Sequence, residues 1–258
     1  MSDGPELVHL LVDGYVATVT LDSPTNRNAL SRRLVEQLTT HLGAAHATPG
    51  VRLIVLTHTG GTFSAGADLV EAADEGMERG TRALLDLLRT VVGLPTPIVA
   101  VVRGHVRAGG VGLVGACDLA LVTDESTFGF AEVRLGLAPA IISLTTRSRL
   151  ADRVASRLYL TGEVFDGPAA AAYGLVSTSV AAESLDDAVA QLVRGFGQAS
   201  PQGLRESKAL LNAPLLARFA ADGERLVALS ARLFGSDEAK EGMRAFRERR
   251  PPSWTARS

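Results

Sequence analysis

The stretch RAGGVGLVGACD, residues 107–118, sets Gly109, Gly110, Gly112 and Gly115 between two apolar runs, PIVAVV (97–102) and DLALV (118–122). Glycine loses more conformational freedom on folding than any other residue, so this density marks close backbone approach, a sharp turn, or both. Three readings compete. Residues 110–115, GVGLVG, satisfy G-x-G-x-x-G, and Glu132 follows at about the twenty-residue spacing of a dinucleotide-binding fingerprint. The context is poor, because in such a motif the strand leads straight into the first glycine, whereas Arg103 to Gly109 intervene here. A small-residue helix packed tightly against a neighbour explains the same residues. The third reading pairs this loop with TFSAGADL (62–69), since each follows a buried strand and opens a helix, offering unsatisfied backbone N–H groups. Two such ends converging make an oxyanion hole, in which each preorganised donor is worth roughly 3 to 4 kcal/mol to a developing negative oxygen.

Outward from these loops, the pattern predicts an α/β chain. ELVHLLVDGYVATVTL (6–21) alternates apolar and polar residues around Asp13-Gly14, a two-residue hairpin turn. Ser31 caps a helix over about 31–46, where Leu34, Leu38 and Leu42 recur at helical spacing. RLIVLTH (52–58) is a buried strand running into the first glycine loop. A second copy of that order follows: a helix over 77–93, strand PIVAVV, the second glycine loop, a small-residue helix, and strand DLALV. LVSTSV (175–180) is one more strand, and beyond it only helical patterns remain, split by Pro201, Pro214 and Pro251. A boundary near 195 separates a core, 1–195, from a helical region, 196–258.

Composition narrows the function classes. A chain of 258 residues, 46% hydrophobic, can bury a large core. A formal charge of −2, with basic residues scattered until the last fifteen positions, gives no reason to expect nucleic acid or an anionic membrane. VVGLPTPIVAVVRG is the most apolar long stretch, and Pro95 and Pro97 break it short of a bilayer span. Cys117 is the only cysteine, which forbids an internal disulfide, and MSDGPE lacks the basic and apolar regions of a secretory signal, so a cytoplasmic protein is expected. The histidines other than His105 (His9, His41, His46 and His58) show no metal-ligand spacing, so no metal is expected. Ser64 lies in FSAG rather than G-x-S-x-G, which leaves a serine-hydrolase elbow unsupported.

FSAGADL (63–69), GGVGLVGACDLAL (109–121), FGFAEVRLGLAP (128–139), LTGEVFDGPAAAAYGLV (160–176) and EGMRAFRERRPPSW (241–254), with SPTNRNALS (23–31), together resemble the enoyl-CoA hydratase/isomerase, or crotonase, superfamily, in that family's order and over nearly the whole chain. The resemblance implies a spiral of repeated ββα units with a C-terminal helical region, assembly as a homo-trimer or hexamer, and an acyl-CoA thioester as substrate. No cofactor is implied beyond the coenzyme A of that substrate. It places the two oxyanion N–H groups on Ala67 and Gly109 and a catalytic carboxylate on Glu132. Arg27, Ala65, Asp68, Leu69, Phe246 and Arg249 match substrate-binding positions, the last two from a tail that stacks on adenine and meets phosphate. Asp68 also reads as a structural cap.

Departures from the family pattern qualify the mechanism. Hydratases of the family use two glutamates, and the second maps onto Gly112, so only Glu132 remains. On residue type alone Glu132 is a surface carboxylate paired with Arg134; in an apolar loop its pKa would instead rise toward the range of a general acid/base. Glycine also stands at the 112 position in the branch that includes bacterial 3-methylglutaconyl-CoA hydratases, which GGVGLVGACD and EVRLGLAPAIIS resemble. The expected activity is hydration of a 2,3-enoyl thioester. The alternatives are 3-enoyl to 2-enoyl isomerisation by Glu132 alone and a weakly catalytic CoA-binding homologue. Val70 replaces a family lysine, and His105, Arg107 and Ala108 replace aromatic, aliphatic and glycine residues. Arg107 or His105 meets an anionic acyl group or supplies a proton; in the plainer reading, Arg107 extends to solvent.

Overall fold

The structure, a computed structural model, describes residues 4–68, 71 and 77–255. Strands β1 (Val8–Asp13) and β2 (Val16–Leu21) form an antiparallel hairpin. Asp13 pairs with Val16, so the two-residue loop is Gly14-Tyr15, one position later than the sequence pattern placed it. Gly14, at φ +57°, supplies the left-handed conformation that fixes this register.

β2 continues into a parallel array with β3 (Leu53–His58), β5 (Ile98–Val102), β7 (Leu119–Thr123) and the short β10 (Thr178–Val180), giving a six-stranded sheet in the order β1-β2-β3-β5-β7-β10. A second sheet, β4-β6-β8-β9, is built from the three-residue strands Thr62–Ser64, His105–Arg107, Thr127–Gly129 and Val164–Asp166. Successive turns of the chain add one strand to each sheet: β3 then β4, β5 then β6, β7 then β8. The glycine loops follow β4 and β6, so the second sheet is what aligns them.

The large sheet reads as continuous apolar runs because both faces are covered, the usual pattern for parallel strands. One face packs on α1 (Arg32–Ala47), α2 (Met77–Gly93) and α3 (Gly109–Ala116). Ser31 caps α1 by accepting from Leu34 N–H at 3.3 Å. Three short helices follow in the chain, α4 (Ser143–Thr146), α5 (Asp152–Thr161) and α6 (Gly167–Ala172), and Leu53, Val55, Val99, Val101 and Leu121 pack on the opposite face with Leu185, Val189 and Leu192 of α7 (Leu185–Gln198). Residue 195 lies inside that helix. Helix α8 (Pro201–Phe234) runs through Pro214 without a break, contrary to the split its sequence pattern suggested. The carbonyl that Pro214 leaves without an N–H partner is that of Leu210, a residue 78% exposed, where water can serve it. Helix α9 (Asp237–Arg247), capped by Ser236, completes the C-terminal region.

Candidate active site

The four glycines of 107–118 divide into two tasks. Residues 110–115 lie within α3, every residue of which is buried, so the fingerprint match is a packed helix and not a phosphate loop. A Cβ on Gly110 would sit 2.8 Å from Ser64 Cβ, and one on Gly112 would sit 2.4 Å from Ile142 Cγ2. Gly109 instead belongs to the junction between the two loops. Gly66, at φ +89°, is so close that a Cβ there would lie 3.2 Å from Gly109 N and 3.1 Å from Arg107 O.

This contact puts Ala67, next to Gly66, beside the N-terminus of α3. The first loop is held from its other side by Leu30 N–H donating to Gly66 O at 2.8 Å and Ala65 N–H donating to Arg27 O at 3.0 Å. Arg27 and Asn28 both adopt left-handed φ, and the Asn28 amide fixes them by donating to Thr59 O (3.1 Å) and Thr62 O (2.7 Å). Neither Ala67 N–H nor Gly109 N–H finds an acceptor among the described residues. Two neighbouring backbone donors are thus left for an oxygen from outside the chain.

Both donors line a cavity of about 540 Å³. Arg27, Ala65, Asp68, Phe246 and Glu132 line it too, so seven of the nine residues singled out in the sequence come together there. Leu69 lies outside the described residues. Arg249 follows α9 in a left-handed conformation (φ +53°) and does not line the cavity. Asp68 serves as a local cap: its Oδ1 accepts from Glu71 N–H at 3.3 Å and its Oδ2 from Asn26 Nδ2 at 3.5 Å.

Glu132 sits on a single 3-10 turn, Ala131–Leu135, that follows β8. Its Oε2 is shielded from solvent and has no hydrogen-bond partner. Burial raises the carboxyl from its ordinary 4.5 to about 7. The surface pairing with Arg134 does not form; Arg134 Nε donates weakly to Thr161 O, at 3.4 Å. The cavity wall around the carboxyl is apolar, with Leu137, Pro139, Ile141 and Ile142 on the segment that follows it. A buried carboxyl that titrates near neutrality, in one cavity with two free N–H donors, can accept a proton at one carbon and return it at another while the donors hold the charge.

Two features of the cavity escaped the sequence reading. Arg32, Arg79 and Arg134 join Arg27 on its lining, although they are dispersed in the chain. Arg107, which the sequence reading weighed for an anionic acyl group, lines it as well. Ile142, whose Cγ2 abuts Gly112, was not distinguishable from any other apolar residue.

The model of the enoyl-CoA hydratase/isomerase family matches residues 12–257. The crystal structure of an enoyl-CoA hydratase from Mycobacterium avium is 51% identical and superposes with a TM-score of 0.91, covering 98% of this chain and 100% of that one. An enoyl-CoA hydratase/isomerase from Pseudoalteromonas atlantica T6c is 26% identical with a TM-score of 0.87, over 97% of this chain and 100% of that one. A Thermus thermophilus relative that also carries an enoyl-CoA hydratase name is 39% identical over 247 residues, 93% of this chain and 97% of its own. The likeness fixes the architecture as the crotonase fold.

Proposed function

The chain belongs to the enoyl-CoA hydratase/isomerase family, and on that premise we propose that it adds water across the 2,3-double bond of an acyl-CoA thioester. Ala67 and Gly109 N–H groups bind the thioester oxygen and stabilise the enolate that forms when C3 is attacked. Glu132 takes a proton from the attacking water, whose oxygen bonds to C3, and the same carboxyl returns a proton to C2. One water is consumed and the carboxylate is regenerated. No cofactor takes part beyond the coenzyme A of the substrate, whose phosphates face the arginines of the cavity rim, Arg27, Arg32 and Arg79. The C-terminal helices, which expose Leu210 and Leu211, join copies into a trimer or hexamer.

The observation that carries this reading is the solitary Glu132 Oε2, buried and unpaired in the cavity that the two free N–H donors share. One further observation favours a second reaction on the same apparatus. Ile142 fills the space that a side chain at position 112 would need, so no second carboxylate activates water, and transfer of a proton between C2 and C4 requires only one. Mass spectrometry of crotonyl-CoA and 3-hexenoyl-CoA incubated with the protein in deuterated water separates these. Gain of one water, lost in Glu132→Gln, establishes hydration. Deuterium uptake with double-bond migration and no added water establishes isomerisation. Intact acyl-CoA in every incubation, with CoA binding retained, overturns both.

A further inference from the structure

Arg107 ends β6 two residues before Gly109 and lines the cavity. Three of its five N–H bonds are engaged: Nη1 donates to Val106 O (2.9 Å) and Thr127 O (2.7 Å), and Nη2 donates to Thr127 Oγ1 (2.9 Å). All three acceptors are neutral. The bonds that remain are Nε–H and the second Nη2–H, which lie on one edge of the planar group and form the fork that matches the two oxygens of a carboxylate. No acceptor for that edge exists among the described residues.

The positive charge is also uncompensated. Arg107 is half-buried, and burial lowers its proton affinity with no carboxylate acting against it. The acidic residues on the cavity lining are committed elsewhere or shielded: Asp68 caps Glu71 N–H, Glu71 accepts from Arg32 N–H at 2.8 Å, and Oε2 of Glu132 has no partner. Burying a cation without a counter-ion is unfavourable, and sites that do so hold an anion when occupied. The rotamer is fixed as well, because Thr127 grips the far edge of the fork through both its oxygens and His105 Nδ1 meets the same hydroxyl at 2.8 Å. A side chain merely extending to solvent has no such grip.

We infer that Arg107 selects acyl-CoA thioesters whose acyl chain carries a second carboxylate, which it binds in bidentate fashion through Nε and Nη2. Arg107 is a specificity residue rather than a proton carrier. The inference rests on the acyl-CoA reading of the cavity and is independent of whether the reaction is hydration or isomerisation.

Calorimetric titration with glutaryl-CoA and valeryl-CoA tests it on the intact protein. The two share a five-carbon chain, differ in the terminal carboxylate and carry no double bond, so neither reports on turnover. Charge-assisted hydrogen bonding predicts that glutaryl-CoA binds at least about tenfold tighter. In Arg107→Gln the ratio of the two affinities collapses to near one. Arg107→Lys keeps the charge without the fork and retains an intermediate ratio. Equal affinities in the unsubstituted protein overturn the inference, as does a proportional loss of both ligands in Arg107→Gln. Hydration of crotonyl-CoA alongside a ratio of one would leave the proposed reaction standing and remove only the role of Arg107.

Discussion

Ile142 Cγ2 lies 2.4 Å from where a Cβ on Gly112 would stand, and Ile142 Cβ lies 2.8 Å from it. The glycine and the isoleucine therefore fit as a pair. Gly112→Ala forces a β-branched side chain in a packed core to move, and overpacking of this kind destabilises by about 1 to 3 kcal/mol. Ile142→Ala removes the Cγ2 and opens a cavity, at a loss of about 2 to 5 kcal/mol. The second change removes the Cγ2 contact and leaves the Cβ one, so it relieves part of the clash, and the double variant is less destabilised than the sum. Urea unfolding of the four proteins in a double-mutant cycle checks this; simple additivity would show that the clash relaxes by another route.

Glu132 carries the pH dependence. Its carboxyl titrates at about 7 when folded, against 4.5 as the ordinary value. Between those values the folded chain binds the more protons, so this group makes stability fall as pH rises from about 4.5 to about 7, by on the order of 3 kcal/mol in all. Glu132→Gln keeps the shape and removes the charge. It unfolds at higher urea than the unsubstituted protein at pH 8, and the two converge at pH 4.5. Catalysis moves the opposite way. The base form is required, so kcat/KM rises with pH and levels above about 7, and Glu132→Gln lowers the rate by about 100-fold or more. A variant neither more stable at high pH nor slower would remove Glu132 from the mechanism.

What the sequence made legible follows from where the signal was local. The strands IVAVV and LIVLT announced themselves because a two-sided parallel sheet leaves no polar alternation, and Ser31 announced α1 by its cap. The second sheet was invisible: Thr62–Ser64, His105–Arg107 and Thr127–Gly129 are three residues each, too short for any period to register. Pro214 misled because helix interruption is decided by packing along the rest of the helix, not by one residue. The ordered motifs brought Ala67, Gly109 and Glu132 to one cavity, while Arg249 matched its motif and stands off the cavity wall. The pairing of Gly112 with Ile142 and the open fork of Arg107 depend on contacts between segments far apart in the chain, and no pattern within either segment encodes them.

Ala108 precedes α3 at φ +46° and ψ −117°, a conformation in which a Cβ is strained. Its N–H is tied to Gly129 O at 3.1 Å, and its carbonyl accepts from Val111 and Gly112 N–H, so the backbone cannot relax elsewhere. Ala108→Gly relieves the strain and raises stability by about 0.5 to 1 kcal/mol, even though glycine is the more flexible residue when unfolded. The urea midpoint measures this directly. A lower midpoint would mean that the alanine methyl packs more favourably than its backbone is strained.

Lys208 anchors the C-terminal region to the strands that position the site. Its Nζ, buried, lies 2.8 Å from Asp118 Oδ2 and donates to Val91 O (3.0 Å) and Thr96 O (3.2 Å). Asp118 is completed by Ile98 N–H at 2.7 Å and Asn212 Nδ2 at 3.1 Å. Removing one partner of a buried pair strands the other charge, so Lys208→Met destabilises by about 3 to 5 kcal/mol. Adding Asp118→Asn removes the stranded charge and keeps an acceptor for Ile98 N–H, while its amide nitrogen faces Asn212 Nδ2, so it recovers part of that loss. The same helix carries Ser230, Leu233 and Phe234 to the cavity, so acyl-CoA affinity falls with Lys208→Met and returns with the double variant. If stability falls and recovers while affinity stays unchanged in both variants, α8 is held in register by its apolar face alone, and the ion pair governs only the folding of the core.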